Sequence, residues 1–171
     1  ILGGIGSAEQ NMERYLAWKG IRSSYPNRSG AQNFLVDGVQ WIPWSRTGDS
    51  LVVSHGNNEL RVSSSALRSG ALTVKMPQPG GTSLSNGTLL IRYRSSEFFS
   101  GVITLEGGPS IPRNEIFVRF DATDTDRSIQ IPMPATPGLD SITELVILFD
   151  EQQVPLPMDL ILTRFEFIPA E

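Results

Sequence analysis

The residues in this sequence best suited to chemistry are two tryptophans, a set of mid-strand arginines and one carboxylate beside them. Trp41 and Trp44 bracket Ile42-Pro43. An exposed indole can stack on the apolar C–H face of a sugar ring, whereas a buried one fills a core. Pro43 argues for an edge strand or a loop, which favours access to at least one of the two rings. Arg92, Arg94, Arg119, Arg164 and Glu166 alternate with apolar neighbours and so fall on wet strand faces. Planar guanidinium forks and carboxylates can hydrogen-bond hydroxyls or acidic groups. The competing reading of the same residues is an ordinary ion-paired surface. Trp41, Trp44, Arg92, Arg94, Arg119, Arg164 and Glu166 form the candidate ligand-binding set.

Other motifs fail on their context. Gly48-Asp49-Ser50-Leu51 spells a hydrolase nucleophile block, but Trp44-Ser45-Arg46-Thr47 precedes it where a buried parallel strand should be. Its histidine should lie near the C-terminus, and the only histidine is His55, so a plain turn before Leu51-Val52-Val53 is the simpler reading. Ile1-Leu2-Gly3-Gly4 matches the new N-terminus of an activated trypsin-like protease, yet no partner motif follows. Asp121, Asp124 and Asp126 could offer oxygens to Ca²⁺, but the glycine and distal glutamate of an EF-hand loop are absent. A solvated loop is expected there. Asn27-Arg28-Ser29 and Asn86-Gly87-Thr88 are glycosylation sequons of a kind that arise often by chance. With no intact catalytic set, the chain reads as a non-enzyme.

The elements that position these residues follow from composition and pattern. The 171 residues suffice for one domain with a core that needs no staples. At 39 % hydrophobic and 19 % charged, the chain is neither disordered nor membrane-spanning. Its 16 Gly and 12 Pro argue against a helical bundle and for many short strands. A net charge of −4 argues against a nucleic-acid partner. The absence of Cys excludes disulfides and thiolate metal sites, and one His argues against a multi-histidine centre. A start at Ile1 suggests a processed or excised piece of something longer.

Residues 1–32 read as a helical strap and connector. Ser7 and Gln10 form a capping box, and Met12, Tyr15, Leu16 and Lys19 predict a helix over 8–19 that stops at Gly20. Residues 33–171 read as a sandwich of two antiparallel sheets, with nine strands beginning near Leu51, Leu60, Ala71, Thr88, Gly101, Glu115, Ser128, Ile142 and Leu160. Ile116, Val118 and Phe120 oppose Phe117 and Arg119. In the last strand Ile161, Thr163, Phe165 and Phe167 oppose Leu162, Arg164 and Glu166. Ile142 to Phe149, apolar on nearly both faces, predicts a central strand covered on each side. Composition and pattern alone assign no function.

Several segments carry a resemblance. Ile129-Gln130-Ile131-Pro132, then 141–149, then Met158 to Pro169 resemble the closing strands of galactose-binding-like jelly rolls. Residues 84–94 resemble an earlier strand, and Asp37-Gly38 with Trp41 the opening one. The resemblance covers about residues 34–169 and implies an all-β antiparallel jelly-roll sandwich, similar to carbohydrate-binding modules of polysaccharide-degrading enzymes. It implies non-catalytic binding of a poly- or oligosaccharide, an extracytoplasmic or secreted setting, and a catalytic domain in the full-length protein. It also implies a structural Ca²⁺, with Glu166 as the matching acid, although an acidic pair on the first strand is not evident. The same fold serves protein–protein assembly domains with no sugar ligand, which is the alternative function.

Overall fold

Alternating apolar residues give each strand one face to bury, and here two sheets bury those faces against each other. The computed structural model describes residues 30–170 apart from Asp37, Thr47, Gly48, Pro77, Pro79 and 108–113. The helix expected over 8–19 lies outside the described residues. The strands are β1 (Gln32–Asn33), β2 (Trp41–Ser45), β3 (Val52–Gly56), β4 (Glu59–Leu67), β5 (Gly70–Lys75), β6 (Gly87–Ser95), β7 (Phe99–Glu106), β8 (Asn114–Phe120), β9 (Thr123–Met133), β10 (Glu144–Phe149) and β11 (Leu156–Pro169). A six-stranded sheet runs β3-β4-β11-β6-β9, with β1 also on β11. A five-stranded sheet runs β2-β5-β10-β7-β8. Every pairing is antiparallel.

All nine expected strands are present, and β1 and β2 add to them. β2 escapes a reading by alternation because Pro43 sits in its middle. The structure tolerates Pro43 because β2 is an edge strand, paired only with β5. Between β3 and β4, Asn57 and Asn58 both take positive φ, at 54° and 56°. Two such residues in a two-residue loop match the right-handed twist of the strands they join.

The core lies between the sheets. Leu60, Val62, Leu89, Ile91 and Tyr93 face Leu72, Val74, Ile103, Leu105, Leu145 and Ile147. Phe165 is its aromatic centre, edge-to-face with Phe34 at 5.4 Å and Trp41 at 5.5 Å. The expected facing of β11 is corrected by a bulge. Leu162 pairs with Tyr93 and Arg164 with Arg92, so Thr163 is an extra residue. Leu160, Leu162, Phe165 and Phe167 therefore share the buried face, and Ile161 does not join them. β10 is central, as expected, but covered on one side only: Leu145, Ile147 and Phe149 are buried, and Leu148 is exposed on the other side.

Asp49 explains the hydrolase-like letters around it. Its carboxylate accepts hydrogen bonds from the backbone N–H of Arg68 (2.9 Å) and Ser69 (3.1 Å), at the turn between β4 and β5. Chiefly the Arg68 N–H holds this carboxyl below the usual carboxylate range. Asp49 is a loop clamp rather than part of a nucleophile block.

Candidate functional site

The sandwich divides the expected site residues among three places. Trp41 goes to the core. It is 7 % exposed, and its indole N–H donates to the Phe34 carbonyl at 2.8 Å. Its ring is covered by Phe165, so it offers no face to a ligand. Trp44 and Arg119 go to the outer face of the five-stranded sheet. Arg92, Arg94, Arg164 and Glu166 go to the outer face of the six-stranded sheet, on the opposite side of the molecule.

On the outer face of the five-stranded sheet, the pairing register builds one row across all five strands: Trp44, Ala71, Leu148, Val102 and Phe117. Trp44 is 57 % and Phe117 81 % exposed, an unusual state for side chains of that size. Ile42 adds a further exposed apolar side chain beside Trp44. Four strand spacings separate the ends, about 19 Å. Polar residues flank the row. On one side are Arg119, whose guanidinium lies 5.2 Å from the Phe98 ring centroid, and Ser100, whose hydroxyl donates to Asp150 Oδ2 at 2.6 Å. On the other are Thr73 and Glu115, while Thr104, on the same line between them, is fully buried. Gly101 lets β7 approach β10 beneath the row, because a Cβ there would strike the Leu148 carbonyl oxygen. An apolar strip with polar margins is the arrangement that stacks rings and orients hydroxyls.

The outer face of the six-stranded sheet does bring the expected arginines and Glu166 together, with Arg164 directly opposite Arg92. Arg164 and Arg94 are ion-paired within the face. Arg164 Nε and Nη2 reach Glu166 Oε1 at 2.7 and 2.5 Å. Arg94 Nε lies 3.0 Å from Asp126 Oδ1, with Glu59 at 4.0 Å. Arg61 binds both Asp159 oxygens at 2.9 and 2.8 Å. An open cleft of about 520 Å³, bordered by Arg94, Ser96, Asp124 and Asp159, lies at one end of this face.

Calcium at Glu166, implied by the resemblance, does not fit the described residues. Glu166 is 2 % exposed, and the Arg164 guanidinium sits on the carboxylate that the cation would need. Among the described residues no group of three His, Cys, Asp or Glu is placed to hold an ion. Asp121 and Asp126 instead pair with Arg127 and Arg94.

The row residues Ala71, Leu148, Val102 and Phe117, and Ile42 beside them, were missed by sequence reasoning. One signal was present: the alternation that buries Ile116, Val118 and Phe120 puts Phe117 on the opposite, wet face. A phenylalanine there needs a reason.

No family model matches the sequence, and neither does any curated protein. Solved structures do match. The chain is similar to the family 11 carbohydrate-binding module of a cellulosomal cellulase of Clostridium thermocellum, at 16 % identity and a TM-score of 0.55, over 82 % of this chain and 95 % of that one. It is similar to a family 29 carbohydrate-binding module variant complexed with cellulohexaose, at 10 % identity and a TM-score of 0.54, over 82 % and 92 %. It also matches part of an agarase, at 10 % identity and a TM-score of 0.59, over 84 % of this chain and 25 % of the agarase. The chain has the β-sandwich fold of these modules. Among the described residues no helix is long and apolar enough to cross a membrane.

Proposed function

We propose that this chain is a non-catalytic carbohydrate-binding module that holds an oligo- or polysaccharide on the outer face of its five-stranded sheet. The observation that carries the reading is the row from Trp44 to Phe117, a solvent-facing apolar strip with an aromatic ring at each end. Trp44 and Phe117 stack on sugar rings, Ala71, Leu148 and Val102 form the floor between them with Ile42 beside Trp44, and Arg119 and Ser100 orient hydroxyls along one margin. The fold supports the reading, since the modules it resembles bear that name. Arg94, Arg164 and Glu166 are held in ion pairs on the opposite sheet, which also carries Arg92. A module of this kind acts outside the cytoplasm, joined to a catalytic domain in its parent protein.

The test is a broad glycan array followed by calorimetry on the best ligand. Saturable binding of an oligosaccharide, weakened in Trp44→Ala and in Phe117→Ala, supports the proposal. No binding anywhere in the array overturns it. The second reading, a protein-docking domain, is favoured by the exposure of Phe117, because an apolar row of this length can also seat a protein partner. Loss of glycan binding together with capture of a defined protein through Phe117 would establish it.

A further inference from the structure

We infer that this face selects a neutral glycan and turns away polysaccharides that carry uronate or sulfate groups; the inference rests on the carbohydrate reading of the same face. Among the described residues the face carries the carboxylates Glu115, Glu144 and Asp150 together with the cations Lys75, Arg119 and Arg46, and Glu151 holds Arg46 at 2.8 Å. The charges nearest the row decide the matter. Glu115 is two residues from Phe117 on the same side of β8, and Asp150 continues the chain two residues beyond Leu148, each about 7 Å along the strand. That is inside the screening length of about 8 Å at physiological salt. Arg119 is as near as Glu115, but its guanidinium lies over the Phe98 ring, on the Ser100 margin and away from the row. Lys75 is four residues from Ala71, about 14 Å away, with Glu144 directly opposite it. Glu115 and Glu144 form no ion pair with a described residue. An anionic group on a chain lying over the row therefore meets a carboxylate at each margin, and the cations nearest the row are already engaged, Arg119 over the Phe98 ring and Arg46 by Glu151.

The experiment is affinity electrophoresis of the wild-type chain and the Glu115→Lys/Glu144→Lys variant. Gels contain hydroxyethylcellulose or galactomannan as neutral probes, and polygalacturonate or dextran sulfate as acidic ones. Wild type should be retarded by a neutral probe and bind the acidic probes at least about tenfold more weakly. The variant should gain about tenfold in acidic-probe binding at low salt, lose that gain at high salt, and keep its neutral-probe binding within about twofold. Matching thermal melts establish that the variant is folded; if it is not, Glu115→Gln, with the gain reduced to a few-fold, takes its place. Wild-type binding of polygalacturonate as tight as that of the neutral probes overturns the inference and leaves the carbohydrate reading standing. Retardation by none of the four probes, with none on the array, overturns both.

Discussion

Trp44 and Phe117 stand at opposite edges of the five-stranded sheet and yet on one line across it, linked through Ala71, Leu148 and Val102 by direct strand pairing. The line runs perpendicular to the strands, so a ligand touching both rings must be an extended chain that crosses every strand. Affinity should therefore rise with oligosaccharide length until the chain covers about 19 Å, and then level off.

Each ring contributes separately. Trp44→Ala and Phe117→Ala should each weaken calorimetric binding by about 0.5–1.5 kcal/mol, with nearly additive losses because the rings are far apart. Arg94→Ala, on the opposite sheet, should leave binding unchanged. An Arg94→Ala loss as large as that of Trp44→Ala would move the site to the six-stranded face.

Phe165 closes the core against Phe34 and Trp41. Phe165→Ala should cost roughly 3–5 kcal/mol in urea unfolding, from lost transfer energy and the cavity left behind. Ile161→Ala, one face away and half-buried, should cost clearly less. Equal losses would contradict the bulge at Thr163.

The Arg164–Glu166 pair is structural. Arg164→Ala should destabilise the fold by about 1.5–3 kcal/mol, because it strips charged hydrogen bonds from a buried carboxylate. Glycan affinity should not change. A selective loss of binding with unaltered stability would assign Arg164 to a ligand site.

Asp49 makes stability depend on acid pH. Its folded-state pKa is lowered, mainly by the Arg68 N–H, so its contribution is complete above the unfolded value of about 3.9. That contribution fades as pH falls through the lower folded value. The melting temperature should drop less steeply below about pH 4 in Asp49→Asn than in wild type. Parallel profiles would show that the clamp is not formed in solution.

Much of the sandwich was legible because strands repeat every two residues and turns announce themselves, as Asn57-Asn58 does. What escaped was every place where one residue breaks the rule. Pro43 disguised β2, although the same residue correctly signalled an edge. Thr163 shifted the count in β11 and sent Ile161 to the wrong face, since alternation cannot reveal an unpaired residue. The site was legible only in fragments. Arg94 looked available because its carboxylates, Glu59 and Asp126, lie far away in sequence and meet it only through sheet pairing. Trp44 was found and Phe117 was placed on the correct face, but nothing in one dimension says that residues 44 and 117 share a row.

The extra residue in β11 also makes this strand unusual as a target for length variation. Losing a single residue from a paired strand ordinarily exchanges the two faces beyond that point, driving charged groups inward and phenylalanines into water. At Thr163 the opposite holds. Tyr93 and Arg92 are consecutive partners of Leu162 and Arg164, so excising Thr163 joins two segments whose facing already agrees. Such a shortened chain keeps Phe165 and Phe167 inward, and the closing strand of this domain has a built-in point of tolerance to deletion.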